Sequence, residues 1–303
     1  ESMPKNQEPT VSTVPFIVSN KAASLSIVAA IIFVVSGVAW WKHVYNSPYR
    51  VFQGMLKTNL TTQSVTRTTI TEDQGGPVEK AEQLSFVPQS ASRTVVNIDQ
   101  KGADGDTHVI SETIGTPSRD YSRYIKIDTA QKNAQGKKLD YSPVIGRWGE
   151  TAAAQAYQQS ILGLVPFANL KPADLPSIVS LFEQKKVYDI DYSKVEPKRL
   201  NGKSALVFTV KINTSAYVEV MKTLTKTTGL SDFKDLNPED YKDNAPIEVK
   251  LTVDKLSRQL LVAEYSQSNQ KETYSAYGLS APIDLPNMTM PLESLQQRIQ
   301  EIQ

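Results

Sequence analysis

The chain has 303 residues, 40% of them hydrophobic, with 33 basic and 32 acidic side chains and no cysteine. Five of the basic and two of the acidic residues precede Leu60, which leaves 28 against 30 in the remainder. A near-neutral domain without a concentrated cationic face excludes nucleic acid as a partner, and the lack of Cys excludes disulfides, thiol catalysis, zinc–thiolate sites and a lipidated cysteine.

Residues 1–21 are rich in Pro, Ser, Thr, Asn and Gln and read as a disordered tail. Ala22 to Trp41 is an uncharged run bounded by Lys21 and Lys42. Twenty residues at ~1.5 Å rise span ~30 Å, the thickness of a bilayer hydrocarbon core. Trp40, Trp41, Tyr45 and Tyr49 follow where amphipathic rings favour the interface. A cleaved signal peptide has a shorter apolar stretch and a small-residue cleavage site. The run is therefore expected to be one transmembrane helix over 22–43, with 44–303 forming a domain on one side. Flanking basic residues are nearly balanced, and long domains translocate largely regardless of charge.

Ser47-Pro48 predicts a helix start, and Val51, Phe52, Met55 and Leu56 share one face. From about residue 61 the pattern changes to strands rich in β-branched residues. TTQSVTRTTITE, VEKAEQLSFV, RTVVNIDQ, HVISETIG and RDYSRYIKIDT are separated by short turn clusters, which predicts an antiparallel meander. Their many Thr, Arg, Lys and Glu residues predict that one sheet face is wet. Helical character is expected over Thr151–Val165, then a second helix with Asp174 as N-cap and Ile178, Leu181 and Phe182 on one face.

Strands return with VYDIDYSK and KSALVFTVKI, and a helix over Thr214–Thr228 is closed by Gly229. In PIEVKLTVD, Ile247, Val249, Leu251 and Val253 point one way; Glu248, Lys250, Thr252 and Asp254 point the other. RQLLVAEYSQ and QKETYSAYG complete a second meander. Thr289 or Met290 caps a last helix whose stripe is Leu292, Leu295, Ile299 and Ile302. The order is that of an α+β domain with a mainly antiparallel sheet.

Chemistry-bearing motifs are few. His43 reads as an interfacial residue and His108 as a strand surface position; neither lies near a nucleophile elbow. Asp232, Asp235, Glu239, Asp240 and Asp243 carry oxygens that calcium uses, but their spacing matches no calcium loop and Lys234 and Lys242 interleave, so a solvated loop is expected. No cofactor or metal is expected. Asp189 and Asp191 lie at strand spacing, with nothing beside them that completes a hydrolase. ILGLVPFANLKPADLPSIVSLF is unusually apolar for a segment with three prolines. Leu162, Leu164, Val165, Phe167, Leu170, Ile178, Leu181 and Phe182 either roof an apolar cavity or fill a core. Trp148 either lines the cavity mouth or packs inside.

Two stretches carry a family likeness. KVEPKRLNGKSALVFTVKINTSAYVEVMKTL is a polar strand, an Asn201-Gly202 turn, an apolar strand and an amphipathic helix; IEVKLTVDKLSRQLLVAEYS is a strand reversed after Val253-Asp254-Lys255. This arrangement resembles the bacterial lipoprotein-carrier superfamily, the LolA-like carriers and LppX/LprG-type lipoproteins, over about residues 48–285. The resemblance implies a curved antiparallel half-barrel with helices on its concave face and a lipid or lipidated molecule between them. It further implies an extracytoplasmic domain, with Trp148, Leu162, Leu164, Phe167, Leu181 and Phe182 as ligand contacts. A transmembrane helix replaces the lipidated cysteine of that type, which favours local capture at the membrane over shuttling. A second reading is an envelope sensor or scaffold that binds a protein partner. Neither is an enzyme.

Overall fold

A computed structural model of the chain describes residues 31–38, 40, 44–73, 76–101, 105–133, 135–152, 154–230, 236–279 and 281–302. The chain divides into two units between Ser47 and Pro48. The expected tail, residues 1–21, lies outside the described residues, as does most of the expected span Ala22–Trp41. Residues 31–38 and 40 are helical, with apolar side chains exposed, Phe33 at 81%. Among the described residues no helix is long and apolar enough to cross a membrane.

The second unit opens with α1 (Pro48–Leu60), whose Val51, Phe52, Met55 and Leu56 are buried on the expected face. Five strands follow: β1 (Ser64–Asp73), β2 (Gly76–Ser85), β3 (Ala91–Gln100), β4 (Thr107–Gly115) and β5 (Asp120–Thr129). β6 (Gly149–Thr151) leads into α2 (Gln155–Ile161) and α3 (Leu175–Gln184). Next come β7 (Tyr188–Ile190), β8 (Glu196–Leu200), β9 (Lys203–Ile212) and α4 (Thr214–Thr228). β10 (Ile247–Asp254), β11 (Leu260–Tyr265), β12 (Gln270–Ser275), the two-residue β13 (Met290–Pro291) and α5 (Leu292–Ile302) complete the unit.

Among the described residues all thirteen strands belong to one curved, open sheet. Its order is β13-β6-β5-β4-β3-β2-β1-β12-β11-β10-β9-β7, with β8 also on β9. Every pairing is antiparallel except β13 on β6. The two meanders meet at one seam, where Thr66 of β1 faces Ser275 of β12 and Thr71 faces Gln270. The fold is therefore α+β, as expected.

The main core lies on one face, under α1, α3 and α4. Phe52 and Met55 of α1, Phe182 of α3 and Val218 and Met221 of α4 pack with Phe208, Val210, Leu251 and Leu260 of the sheet. Asn213 caps α4, its Oδ1 accepting from Ala216 N at 3.1 Å, and Gly229 ends it at φ 75°.

Three expectations need correction, and one is refined. The helix expected over Thr151–Val165 shrinks to α2, because its first N–H groups are held by the Asp120 carboxylate of β5, with Gln155 N at 2.8 Å and Ala156 N at 3.0 Å. Asp174 stands at the N-cap of α3 but its side chain accepts no capping bond. Thr252 and Asp254 point away from Val253 as expected, and they are buried there. A small cluster of Ala205, Leu261, Val262 and Leu200 covers their side of the sheet, and Asp254 accepts from Leu256 N at 2.7 Å and Ser257 N at 3.1 Å to close the hairpin. Thr289 does not cap α5; its hydroxyl donates to Glu150 Oε2 at 2.9 Å.

Candidate functional site

The helix-bearing face changes character along the sheet. On β9, β10 and β11 it is apolar. Beyond β11 it becomes polar, with Tyr274, Arg67, Glu82 and Thr94 directly opposite one another on β12, β1, β2 and β3. Arg67 Nε donates to Glu82 Oε2 at 2.6 Å, and Arg67 Nη2 reaches the Ser160 carbonyl of α2 at 3.3 Å. The other oxygen of Glu82 accepts from Ser160 Oγ at 2.7 Å, Thr94 Oγ1 at 3.3 Å and Lys80 Nζ at 3.2 Å. Tyr274 donates its hydroxyl to Glu272, which also accepts from Gln270 at 2.9 Å.

On these strands α2 covers the polar residues of this face, whose charges are buried in pairs, while the opposite face of β1 and β2 is exposed at Ile70, Glu79 and Ala81. Burying an ion pair is costly unless the remaining polar positions are satisfied, and both oxygens of Glu82 are. Burial opposes both charges, but Arg67 and Lys80 outweigh it and hold the Glu82 carboxyl below its ordinary range. Burial likewise opposes the Arg67 charge, and Glu82 reverses the effect and raises it. The network fixes α2 against β1–β3.

Five of the six sequence-predicted contacts lie in the main core. Phe167 and Phe182 are each 2% exposed, and Leu162, Leu164 and Leu181 are half-buried against them. The irregular segment 162–170 is tied by its backbone: Ala168 N donates to Asn59 O at 3.1 Å and Leu170 N to Leu60 O at 2.9 Å. Buried phenols satisfy its carbonyls, Tyr217 donating to Gly163 O at 2.6 Å and Tyr188 to Leu164 O at 2.9 Å. Burial pushes both phenols well up. The Phe167 ring lies 5.4 Å from Tyr274, and Phe182 stacks on Tyr188 at 5.5 Å. Trp148 is not among them; it packs with Ile114 and Ile283 in a separate cluster.

A cleft of about 250 Å³ opens beside this segment. Phe86, Tyr157, Ile161 and Leu170 form its apolar walls; Lys171, Asp174 and the end of α4 at Thr227 to Leu230 form its rim. Phe86 meets Tyr157 edge-on at 6.5 Å. The cleft is mixed in character, with Ser90, Asn169, Lys171, Asp174, Thr227 and Thr228 beside the apolar walls, and its volume falls just below the ~300–1,000 Å³ usual for small-molecule sites. Of these residues, Phe86 had a visible signal, a lone aromatic closing a polar strand. Tyr157 and Leu230 had none, since their roles depend on where α2 and α4 dock.

His108 lies on β4 and meets Asp99 directly across on β3, Nδ1 to Oδ1 at 2.5 Å. Asp232 and Asp235 lie outside the described residues. Among the described residues no group of three or more His, Asp or Glu side chains is placed to hold a metal ion.

No protein-family model and no curated protein sequence matches the chain. Among solved structures it is similar to LprF from Mycobacterium bovis, at 15% identity over 79% of this chain and 96% of that one, with a TM-score of 0.42.

Proposed function

We propose that this protein is a non-catalytic, membrane-anchored binding domain that takes up a hydrophobic ligand, such as the acyl chain of a lipid, on the outer side of a cell membrane. The observation that carries the reading is the cleft beside segment 162–170, with Phe86, Tyr157, Ile161 and Leu170 as an apolar wall for a chain and Lys171 at a polar rim to meet an anionic head. At about 250 Å³ it accepts the end of a chain, the rest of the ligand remaining outside the cleft. The anchor is the span Ala22–Trp41, supported by its uncharged length and by the exposed apolar side chains at Ile31 to Val35.

A second reading, a scaffold for a protein partner, draws on a different observation: Phe167 and Phe182 are packed rather than poised over space. One experiment separates the two. The full chain is purified in detergent and examined by native mass spectrometry for retained lipid, then titrated with a fluorescent fatty acid. Saturable binding that Ile161→Trp weakens several-fold, by filling the cleft, supports the lipid reading. A protein with no saturable binding and no retained lipid leaves the scaffold. Protease added to intact cells removes the domain if it is outside; protection until lysis refutes that placement.

A further inference from the structure

We propose a second binding site, on the sheet face opposite the helices, for a small organic anion: a carboxylate or phosphate group on a flat apolar body. It is independent of the hydrophobic cleft. Side chains alternate between faces along a strand, so Arg93, Glu112 and Arg123 project away from the Glu82–Thr94 row and from α2. Glu112 is 2% exposed and receives one guanidinium on each oxygen. Arg93 Nε donates to Oε1 at 2.5 Å; Arg123 donates to Oε2 through Nε at 2.7 Å and lies within 2.5 Å through Nη2. The Arg123 guanidinium also sits 4.4 Å from the centroid of the Trp148 ring, which fixes its plane.

Two features set this apart from an ordinary cross-strand ion pair. The first is charge. One buried carboxylate holds two guanidiniums, so the group carries a surplus positive charge. Each guanidinium has five N–H donors in a fixed fork, and among the described residues the Arg93 bonds to protein use only Nε. Asp284 lines the same space but forms no ion pair with either arginine among the described residues.

The second feature is space. Residues 281–286 cross this face as a strap. Gln83 donates to the Ala281 carbonyl, Ile283 is buried against Ala91 and Ile114, and Met290 N donates to Trp148 O at 2.9 Å. The strap is thus pinned on both sides, yet it leaves a cavity of about 350 Å³ over the arginines. That volume lies within the range of small-molecule sites. Its lining combines two chemistries: the guanidiniums of Arg93 and Arg123, and the apolar surfaces of Trp148, Ile114 and Pro282. A guanidinium fork matches carboxylate and phosphate oxygens, and the indole and Ile114 suit a flat apolar body.

The test uses the full chain in uncharged detergent, carrying Trp40→Phe and Trp41→Phe. Of the three tryptophans only Trp148 then remains, and its fluorescence reports on the cavity. The probes are benzoate and phenyl phosphate, with benzyl alcohol and benzylamine as neutral and cationic counterparts of the same body. We expect a saturable response to at least one anion and none to the counterparts. Benzoate as the tighter probe assigns a carboxylate ligand, and phenyl phosphate as the tighter probe assigns a phosphate. Arg93→Gln, at a half-exposed side chain, should weaken binding about tenfold or more by removing a charge-assisted contact. Arg93→Lys keeps a cation for Glu112 but loses the fork, and should bind less well than the parent. The proposal is overturned if neither anion gives a saturable response in the parent protein, if benzyl alcohol binds equally well, or if Arg93→Gln, folded by circular dichroism, binds unchanged.

Discussion

Phe167→Ala tests whether the segment after α2 is part of a packed core. The ring is 2% exposed and contacts Tyr274 and Tyr277 at centroid distances of 5.4 and 6.2 Å. A buried Phe removes ~150–250 Å² from water, worth about 4–6 kcal/mol at ~25 cal/mol per Å². The alanine methyl that remains recovers part of this, which brings the expected loss to about 3–5 kcal/mol. Tyr274 is the neighbour that loses most, and its hydroxyl is committed to Glu272, so the site cannot collapse freely. Urea unfolding followed by far-ultraviolet circular dichroism measures the loss as a lower midpoint at unchanged slope. A loss below about 1.5 kcal/mol would place the ring over empty space instead of in a core with the usual truncation cost. In that case fatty-acid uptake by the variant should also fall.

Three further outcomes are expected. The unfolded chain protonates Glu82 near pH 4.3, whereas Arg67 and Lys80 keep the folded carboxylate ionised to lower pH. The contribution is therefore full above that unfolded value and lost as acid brings the pH down through the folded one, so the stability gap between wild type and Glu82→Gln should narrow on acidification; a gap that widens in acid contradicts the assignment. Gly115→Ala should destabilise by about 3 kcal/mol, at the upper end of overpacking, because its Cβ would stand 2.4 Å from Tyr157 N and 2.9 Å from the Ala156 carbonyl carbon; thermal melts that coincide with wild type would show that α2 can move away. A fragment from Pro48 to Gln303 should be soluble and unfold in one cooperative step, since the second unit holds the whole sheet and core; aggregation without a β-sheet signal would show that the boundary is misplaced.

Elements whose determinants are local were legible in the sequence. α4 begins and ends where Asn213 and Gly229 place it, and β1 to β5 follow the β-branched runs between turn clusters. What escaped depends on partners distant in the chain. α2 starts at Gln155 because Asp120 supplies the acceptor, and no local pattern reports that. Arg67 and Glu82 look like the solvated face of a strand until Ser160 is brought over them. The apolar segment 162–170 was visible as unusual, but whether it roofs a cavity or fills a core turns on Tyr188 and Tyr217 reaching its carbonyls. Trp148 gave no sign of which sheet face it joins; that follows from the strap, whose residues Ala281 to Pro286 carry no periodic pattern.

The single seam between the two meanders has a consequence for how the molecule is made. β1 leaves the ribosome well before β12, with most of the domain between them, yet Thr66 must find Ser275 before the sheet is continuous. The first meander can pair internally as it emerges, but one edge of β1 stays without its neighbour until β12 has been made. Contacts so distant in sequence slow folding, and an unpaired edge during that interval invites pairing with another chain. Arg67 sits on that edge, directly opposite the future place of Tyr274. An inward-pointing charge on an edge strand discourages a foreign strand from docking while the proper one is still being translated.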